Sequence, residues 1–443
     1  MSRDAKSNIE RIAAILKGFD ALNTPRRTQD VLEDLGATRS TGFGLLRAMV
    51  RAGWLERYDH GLVQLGPKVR AMAFAPLEAM EPSDAPKIRA TPGGVRHAQG
   101  TPDLEWDPDL VRTVETSRYR SRPPYRIGFA NASVSNDWRR AMQESLAYAE
   151  KTNRHQIAAL LMADAKDDPK LQRQQIDDLV SEGIDILLIS TASVADSDLS
   201  NRLKELADEG LPIVAVDRRP NDRSSLTAFV TASDHRIGRV SALWLAEHLG
   251  GQGRVWMLSG LEGASPAIRR QQAALSVLSQ FPGIQVEFVS HTDWTPEGGH
   301  LTVGRLMDDA GRPPDGVWCD SGLQGMGSVR QFLDRGLDVP AHTGGDLNGM
   351  YKLCLEQKVP MVALDYPASM GARALEVALD ILQGQPVPQR VEVPVQIILP
   401  RGQETQSVKA DTWAELHVQW SLADEAILSQ GPALQPSEGR VAS

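Results

Sequence analysis

The stretch YRIGFANASVSNDWRRAM, residues 125–142, sets the architecture for most of the chain. It opens on a short β-rich run, YRIGFA (125–130), turns through small polar residues and continues into a helical stretch. The runs QIAALLM (156–162), IDILLIS (184–190), LPIVAVD (211–217) and LTAFVTA (226–232) repeat the opening. Helical stretches of ~12–16 residues lie between them, and that alternation predicts βαβ units around a parallel sheet. After His235 the pattern restarts with RVWMLSG, IQVEFVS, GVWCD, AHTGGD, PMVALD and VEVPVQIIL. Two successive α/β lobes of roughly 110–130 residues each are expected, built on doubly wound parallel sheets.

The lobes leave room for more. The chain has 443 residues, against ~100–200 for a typical domain. Apolar residues make up 41% and charged residues 24%, a soluble globular composition. No apolar run reaches the ~18 residues of a membrane span, so no membrane partner is expected. The start, MSRDAKSNIERI, lacks the apolar centre of a secretory signal, and a cytoplasmic location is expected. Cys319 and Cys354 cannot build a disulfide framework, and no Cys/His cluster suggests a metal site. No cofactor is expected. The net charge of −9 is unevenly spread: residues 1–75 carry 12 Lys+Arg against 8 Asp+Glu, a net of +4, which leaves −13 for the rest. A mildly basic head on an acidic body suits a nucleic-acid contact at one end.

Within that head, NIERIAAILKGFDAL (8–22) has helical apolar spacing and Pro25 stops it. Thr28 can cap a second helix, QDVLEDLG, ended by Gly36. GATRSTGFGLLRAM (36–49) gives a third helix with apolar residues at Phe43, Leu45, Leu46 and Met49. WLERYDHGLVQLG (54–66) reads as two strands around an Asp-His-Gly turn. Helix, helix, tight turn, helix and hairpin is the order of a winged helix-turn-helix. Eight prolines from Pro76 to Pro124 then mark residues 76–123 as a linker, with a short helix possible at 105–120. The body is expected over 124–400, and a polar tail over 401–443 with one helix possible at 411–428.

GATRSTGFGLLRAM followed by GWLER and GLVQLGPKVRAMA resembles the winged head of IclR-type transcription regulators, over roughly residues 8–75. The wing, Gly61 to Gly66, is the most specific part, and Gly44 stands where that family commonly carries a basic residue. A recognition helix enters the major groove by its N-terminal turn, where free amides and the helix dipole favour phosphate. Arg39 can pair with phosphate or guanine, and Ser40 and Thr41 can donate to phosphates. Thr28, Arg47, Arg57 and His60 complete the candidate DNA-binding set. The plainer alternative is that Ser40 and Thr41 cap the helix and Arg39 is a solvated charge.

Residues 124–400 resemble the type I periplasmic binding-protein fold of sugar receptors, which is also the sensor of LacI-type repressors. The motifs that carry the resemblance are IGFANASVSNDWRRAM (127–142), DAKDDPKLQRQQIDDLVSEGIDILLIS (164–190), LPIVAVDRRP (211–220), GASPAIRRQQAAL (263–275), GVWCDSGLQGMG (316–327), TGGD (343–346) and LDYP (364–367). In open α/β sheets the ligand lies beyond the carboxyl ends of the strands. Asn131, Asp217, Ser321, Asp346 and Asp365 fall there, and Trp138, Arg218, Arg270 and Asp320 complete the candidate ligand set. Carboxylates, amides and guanidinium groups satisfy vicinal hydroxyls, and aromatic faces stack on the C–H side of a sugar ring. Each strand-end Asp has a turn-forming or capping alternative. Arg269 equals Arg270 by spacing, and the family pattern favours Arg270. Trp294 follows SHTD in a strand-end loop and is a further candidate to face the cleft.

No P-loop, GxSxG or HExxH appears, so no enzyme is expected. The sequence reads as a DNA-binding transcription regulator, a repressor by expectation, acting as a homodimer or higher oligomer on a double-stranded operator. Its effector would be a sugar, polyol or sugar derivative held between the lobes. The rival reading is a carbohydrate-binding module whose head contacts protein.

Overall fold

A computed structural model describes residues 26–34, 39–51, 54–58, 62–65, 112–193 and 195–434. They fall in two units, one holding residues 26–65 and the other 112–434. The helix expected at 8–22 and the linker segment 76–111 lie outside the described residues.

The first unit runs β1 (Arg26–Arg27), α1 (Thr28–Asp34), α2 (Arg39–Arg51), β2 (Leu55–Tyr58) and β3 (Leu62–Leu65). β3 is central, antiparallel to both β1 and β2, with Arg57 opposite Val63. Val31, Leu46, Met49, Leu55 and Val63 form its core. On α2, Leu46 and Met49 point inward while Phe43, Arg47 and Arg51 lie exposed at helical spacing. Phe43, expected with the apolar residues of that helix, is 40% exposed and stands on the outer face with the two arginines.

In the second unit, β4 (Thr113–Val114) leads into β5 (Tyr125–Asn131), α3 (Asp137–Thr152), β6 (Ile157–Asp164), α4 (Pro169–Ser181), β7 (Ile186–Ile189), α5 (Ser197–Asp208), β8 (Ile213–Val216) and β9 (Ala228–Thr231). β6, β5, β7, β8 and β9 are parallel neighbours in that order, the 2-1-3-4-5 order of a doubly wound sheet. The second lobe repeats it. α6 (Asp234–His248), β10 (Gln252–Ser259), α7 (Ser265–Leu278), β11 (Gly283–His291), α8 (Pro296–Ala310), β12 (Gly316–Cys319), α9 (Gly322–Asp334), β13 (Ala341–Gly344), α10 (Asn348–Glu356) and β14 (Met361–Asp365) give the order β11, β10, β12, β13, β14. β5, β7 and β8 are apolar nearly throughout because both faces are covered. The in–out alternation of a half-exposed strand is absent from β7, where Leu187, Leu188 and Ile189 are all buried.

The chain then returns. α11 (Met370–Leu382) packs on α3, β15 (Val387–Pro388) pairs with β4, and β16 (Arg390–Glu392) joins the first sheet beside β9. β17 (Gln396–Leu399) lies antiparallel to β14 in the second sheet, and β18 (Thr412–Trp413) and α12 (Ala414–His417) follow. The backbone therefore passes between the lobes at 232–233, 366–369 and 393–395, and these crossovers form a hinge. Residues 112–121, read from sequence as linker, are fastened to the body: Thr116 Oγ1 donates to Gln385 O at 2.5 Å and Ser121 N to Leu382 O at 3.0 Å. In place of the helix considered at 105–120, the described part holds β4 and a single 3-10 turn, Ser117–Tyr119.

Candidate functional site

Where the carboxyl ends of the two sheets face each other, a narrow cavity of about 30 Å³ is lined by side chains of both lobes. Asn136, Trp138, Arg139, Asp217 and Arg218 come from the first, Arg270, Trp294, Ser321 and Asp346 from the second, and Tyr366 from a crossover.

Local rules put them there. The Asn136 side chain caps α3 by accepting from Arg139 N at 3.0 Å, which sets Trp138 and Arg139 in the first turn. Gln172 on α4 donates to Ala130 O at 3.2 Å and Ser190 O at 2.8 Å, tying β5 to β7 where the strand order reverses. Asp217 and Asp346 both adopt left-handed backbone, φ 62 and 72, at the end of the fourth strand of their sheets. Asp tolerates that region better than most residues. At Gly260 a Cβ would lie 1.8 Å from Trp294 Cε2, so only glycine lets the indole rest on the β10 terminus.

The first-lobe wall is a buried ionic network. Arg139, 2% exposed, donates to Asp217 Oδ2 at 2.9 Å, Asn131 Oδ1 at 3.2 Å and Ser190 Oγ at 3.2 Å. Burial, then the neighbouring Arg218 charge, lowers its pKa to about 10 while Asp217 opposes them. Tyr366 Oη donates to Asp217 Oδ1 at 3.1 Å, and burial pushes its pKa well up. Arg218 donates to Asp167 Oδ1 at 3.0 Å and lies over the Trp294 ring at 5.7 Å. Its Nε is sealed from solvent with no hydrogen-bond partner among the described residues, and Asp217 Oδ2 stands 3.9 Å away.

In the second lobe Arg270 donates to Asp234 Oδ1 at 2.9 Å and to Asp320 O at 3.1 Å, with its guanidinium 4.2 Å over the Tyr366 ring. Burial acts to lower the Arg270 pKa, but Asp234 and Asp320 outweigh it and the net shift is upward. Asp346 Oδ1 accepts from Tyr366 N at 2.5 Å, and burial, reinforced by Asp365, raises its pKa well above the carboxylate range. Trp138 Nε1 donates to Tyr366 O at 2.7 Å and the two rings sit 5.0 Å apart.

Of the residues singled out in the sequence, Trp138, Asp217, Arg218, Arg270, Trp294, Ser321 and Asp346 line the cavity together. The Ser321 hydroxyl also caps α9, accepting from Leu323 N at 3.3 Å. Three expected ligand residues do not line it. Asn131 is turned to Arg139, and Asp320 accepts from Trp294 Nε1 at 3.0 Å, Gly260 N at 3.2 Å and Gln324 Nε2. Asp365 accepts from Asp346 N at 2.6 Å and Tyr351 Oη at 2.5 Å, with His417 Nε2 at 2.7 Å from its other oxygen. These partners saturate the carboxylate behind the wall. Arg139 and Tyr366 escape the sequence reading. Arg139 adjoins Trp138 and Tyr366 follows the Asp of LDYP, and neither carries a signal beyond that adjacency.

In the first unit, Thr28 opens α1, Arg39, Ser40 and Thr41 form the first turn of α2, Arg47 is exposed on α2 and Arg57 lies on β2; His60 is outside the described residues. Among the described residues no cluster of His, Cys, Asp or Glu is arranged to hold a metal, and no helix is long and apolar enough to cross a membrane.

Residues 127–386 match the periplasmic binding protein domain. The chain belongs to that family. Over 285 residues the chain is 22% identical to the ribose import binding protein of Bacillus subtilis, covering 64% of this chain and 90% of that protein. It is 25% identical over 211 residues to a xylitol-binding protein of Mycolicibacterium smegmatis, covering 48% of this chain and 58% of that protein. An uncharacterized HTH-type transcriptional regulator of Streptomyces limosus is 28% identical over 171 residues, 38% of this chain and 47% of that protein. In structure, this periplasmic binding protein domain aligns with a solute binding protein of Bacillus halodurans solved with myo-inositol, TM-score 0.58 at 18% identity, over 64% of this chain and 97% of that one. A solute binding protein of Mycobacterium smegmatis solved with glycerol aligns with TM-score 0.59 at 18% identity, over 68% of this chain and 99% of that one. These likenesses establish the two-lobed type I periplasmic-binding-protein fold.

Proposed function

We propose that the protein is a transcription regulator whose affinity for a double-stranded operator is set by a sugar, polyol or sugar derivative bound between its lobes. The observation that carries the effector half is the cavity lining, which brings Trp138, Asp217 and Arg218 of one lobe to Arg270, Trp294 and Asp346 of the other. Aromatic faces beside carboxylates and guanidinium groups suit a polyhydroxy solute. The relatives whose names include ribose and xylitol support the same class.

The gene-control half draws on the regulator of Streptomyces limosus and on the first unit. There a two-helix and hairpin order presents Arg47 and Arg51 on the outer face of α2. We read this unit as an IclR-like winged helix-turn-helix, with Arg39, Ser40, Thr41 and Arg57 toward the duplex and Thr28 at the backbone. A cytoplasmic homodimer with two half-sites follows from that reading. Ligand closes the lobes about the crossovers, and operator affinity shifts only by the ligand's differential affinity for the two states. Exposed Phe43 favours the second reading, a carbohydrate-binding module whose first unit docks on protein. Selection of bound duplexes from a random library, followed by electrophoretic titration across salt with ribose, xylitol or myo-inositol added, separates the two. DNA contact by several basic groups makes affinity fall steeply with salt. No retained duplex at low salt refutes the regulator.

A further inference from the structure

The chain beyond the family match, which ends at residue 386, is built into the hinge. Asn348, first residue of α10, gathers this segment: its N donates to Ala426 O at 2.8 Å, its Nδ2 to Gln419 O at 2.8 Å and Ala423 O at 3.1 Å, and its Oδ1 accepts from Gln419 N at 3.0 Å. Lys352 donates to Leu422 O at 2.6 Å and pairs with Asp424 at 3.0 Å. Leu428 N then donates to Asp346 O at 3.0 Å. At the crossover, Ser429 Oγ donates to Tyr366 O at 2.9 Å, accepts from Ala368 N at 3.2 Å and lies 3.4 Å from Asp346 Oδ1. Ser369 N donates to Ser429 O at 3.1 Å. Finally Gln430 Nε2 reaches Glu144 Oε2 on α3 at 2.8 Å. One segment is thus bonded to the second lobe, to the hinge and to the first lobe.

Two of its side chains sit directly behind the cavity. Tyr366 O accepts from Ser429 on one side and from cavity-lining Trp138 on the other. His417 closes the other path, through Asp365 to the backbone N of Asp346. We propose that residues 414–434 form a clasp across the hinge and that Ser429 and His417 are positioning residues, holding Tyr366 and Asp346 in the ligand-competent arrangement. Clasp docking and effector binding are then linked reciprocally. The inference rests on the reading of the cavity as an effector site.

The test uses the full chain. Ser429→Ala removes the hydroxyl, Ser429→Thr keeps it, and His417→Gln cuts the second path. Calorimetric titration with ribose, xylitol and myo-inositol gives affinity, and hydrogen exchange in ligand-free protein follows the Tyr366 amide, which is bonded to Asp346 and not to the clasp. S429A is expected to weaken whichever probe the native protein binds by about tenfold, the scale of one lost buried hydrogen bond. It should also speed Tyr366 exchange well beyond that of the rest of the body, with Tm lower by only about 2–3 °C, and S429T should restore affinity and exchange. Native affinity and native Tyr366 exchange in both S429A and H417Q overturn the clasp, as does exchange raised evenly over the whole body. If no probe binds the native protein, the sugar-class effector reading fails on its own, and the exchange comparison still decides the clasp.

Discussion

Asp217→Ala tests the ionic wall of the cavity. Arg139 is 2% exposed and its strongest partner is Asp217 at 2.9 Å. With that carboxylate present, burial and the Arg218 charge already hold the Arg139 pKa down to about 10. At 1.36 kcal/mol per pKa unit this is roughly 3 kcal/mol against the buried charge. Losing Asp217 leaves the guanidinium with Asn131 and Ser190 as neutral acceptors, and breaking a buried pair from one side costs about 3–5 kcal/mol. A body of this size loses about 2 °C of Tm per kcal/mol, so scanning calorimetry should record a fall of about 6–10 °C. The double variant carrying Arg139→Met as well removes the stranded charge, and its loss should fall short of the sum of the singles by about 2 kcal/mol. Asp217→Asn keeps one acceptor oxygen for Arg139 and turns an N–H donor to the Tyr366 hydroxyl, and it should cost less than alanine. A D217A protein within about 1 kcal/mol of native, the range of exposed ion pairs, or an additive cycle refutes the buried pairing.

Gly260→Ala drives a methyl into the Trp294 indole, and overpacking there should cost about 1–3 kcal/mol and shift the tryptophan emission; native emission counts against the placement of Trp294. Burial acts to lower the His417 pKa, but its hydrogen bond and attraction to Asp365 outweigh that, so the folded pKa lies above 6.5. That contribution is therefore complete below about pH 6.5 and is lost as pH rises through the raised value, and the Tm gap between native and H417Q proteins should narrow across that window. If the regulator reading holds, Arg47→Ala should reduce the salt slope of duplex binding by about 1 without moving the Tm of the body, and an unchanged slope removes Arg47 from the phosphate contacts.

The lobes were legible because parallel strands covered on both faces read as unbroken apolar runs, as at Leu187 to Ile189. Strand ends were equally plain, but the direction of a side chain past a strand end was not. Asp346 and Asp365 both follow apolar strands, yet one lines the cavity and the other is claimed by Tyr351 and His417, residues distant in sequence. Arg139 and Arg140 are adjacent, and helical geometry turns one into the ionic network and the other toward Asp137 at the surface. The helix considered at 411–428 shrinks to Ala414–His417 because Asn348 and Lys352 take the carbonyls of Gln419, Leu422 and Ala423 that a longer helix would use. No local pattern announces that capture.

Asp217 and Asp346, at matching strand ends of the two sheets with φ 62 and 72, place a chemical group and an uncommon backbone turn on the same residue. Asn and Gly accept such dihedrals readily, whereas β-branched side chains are outliers there. Drift in ligand preference at these two sites is therefore confined to a short alphabet by main-chain geometry. New specificities should arise sooner at Trp138, Arg139 or Arg270, which occupy ordinary helical backbone.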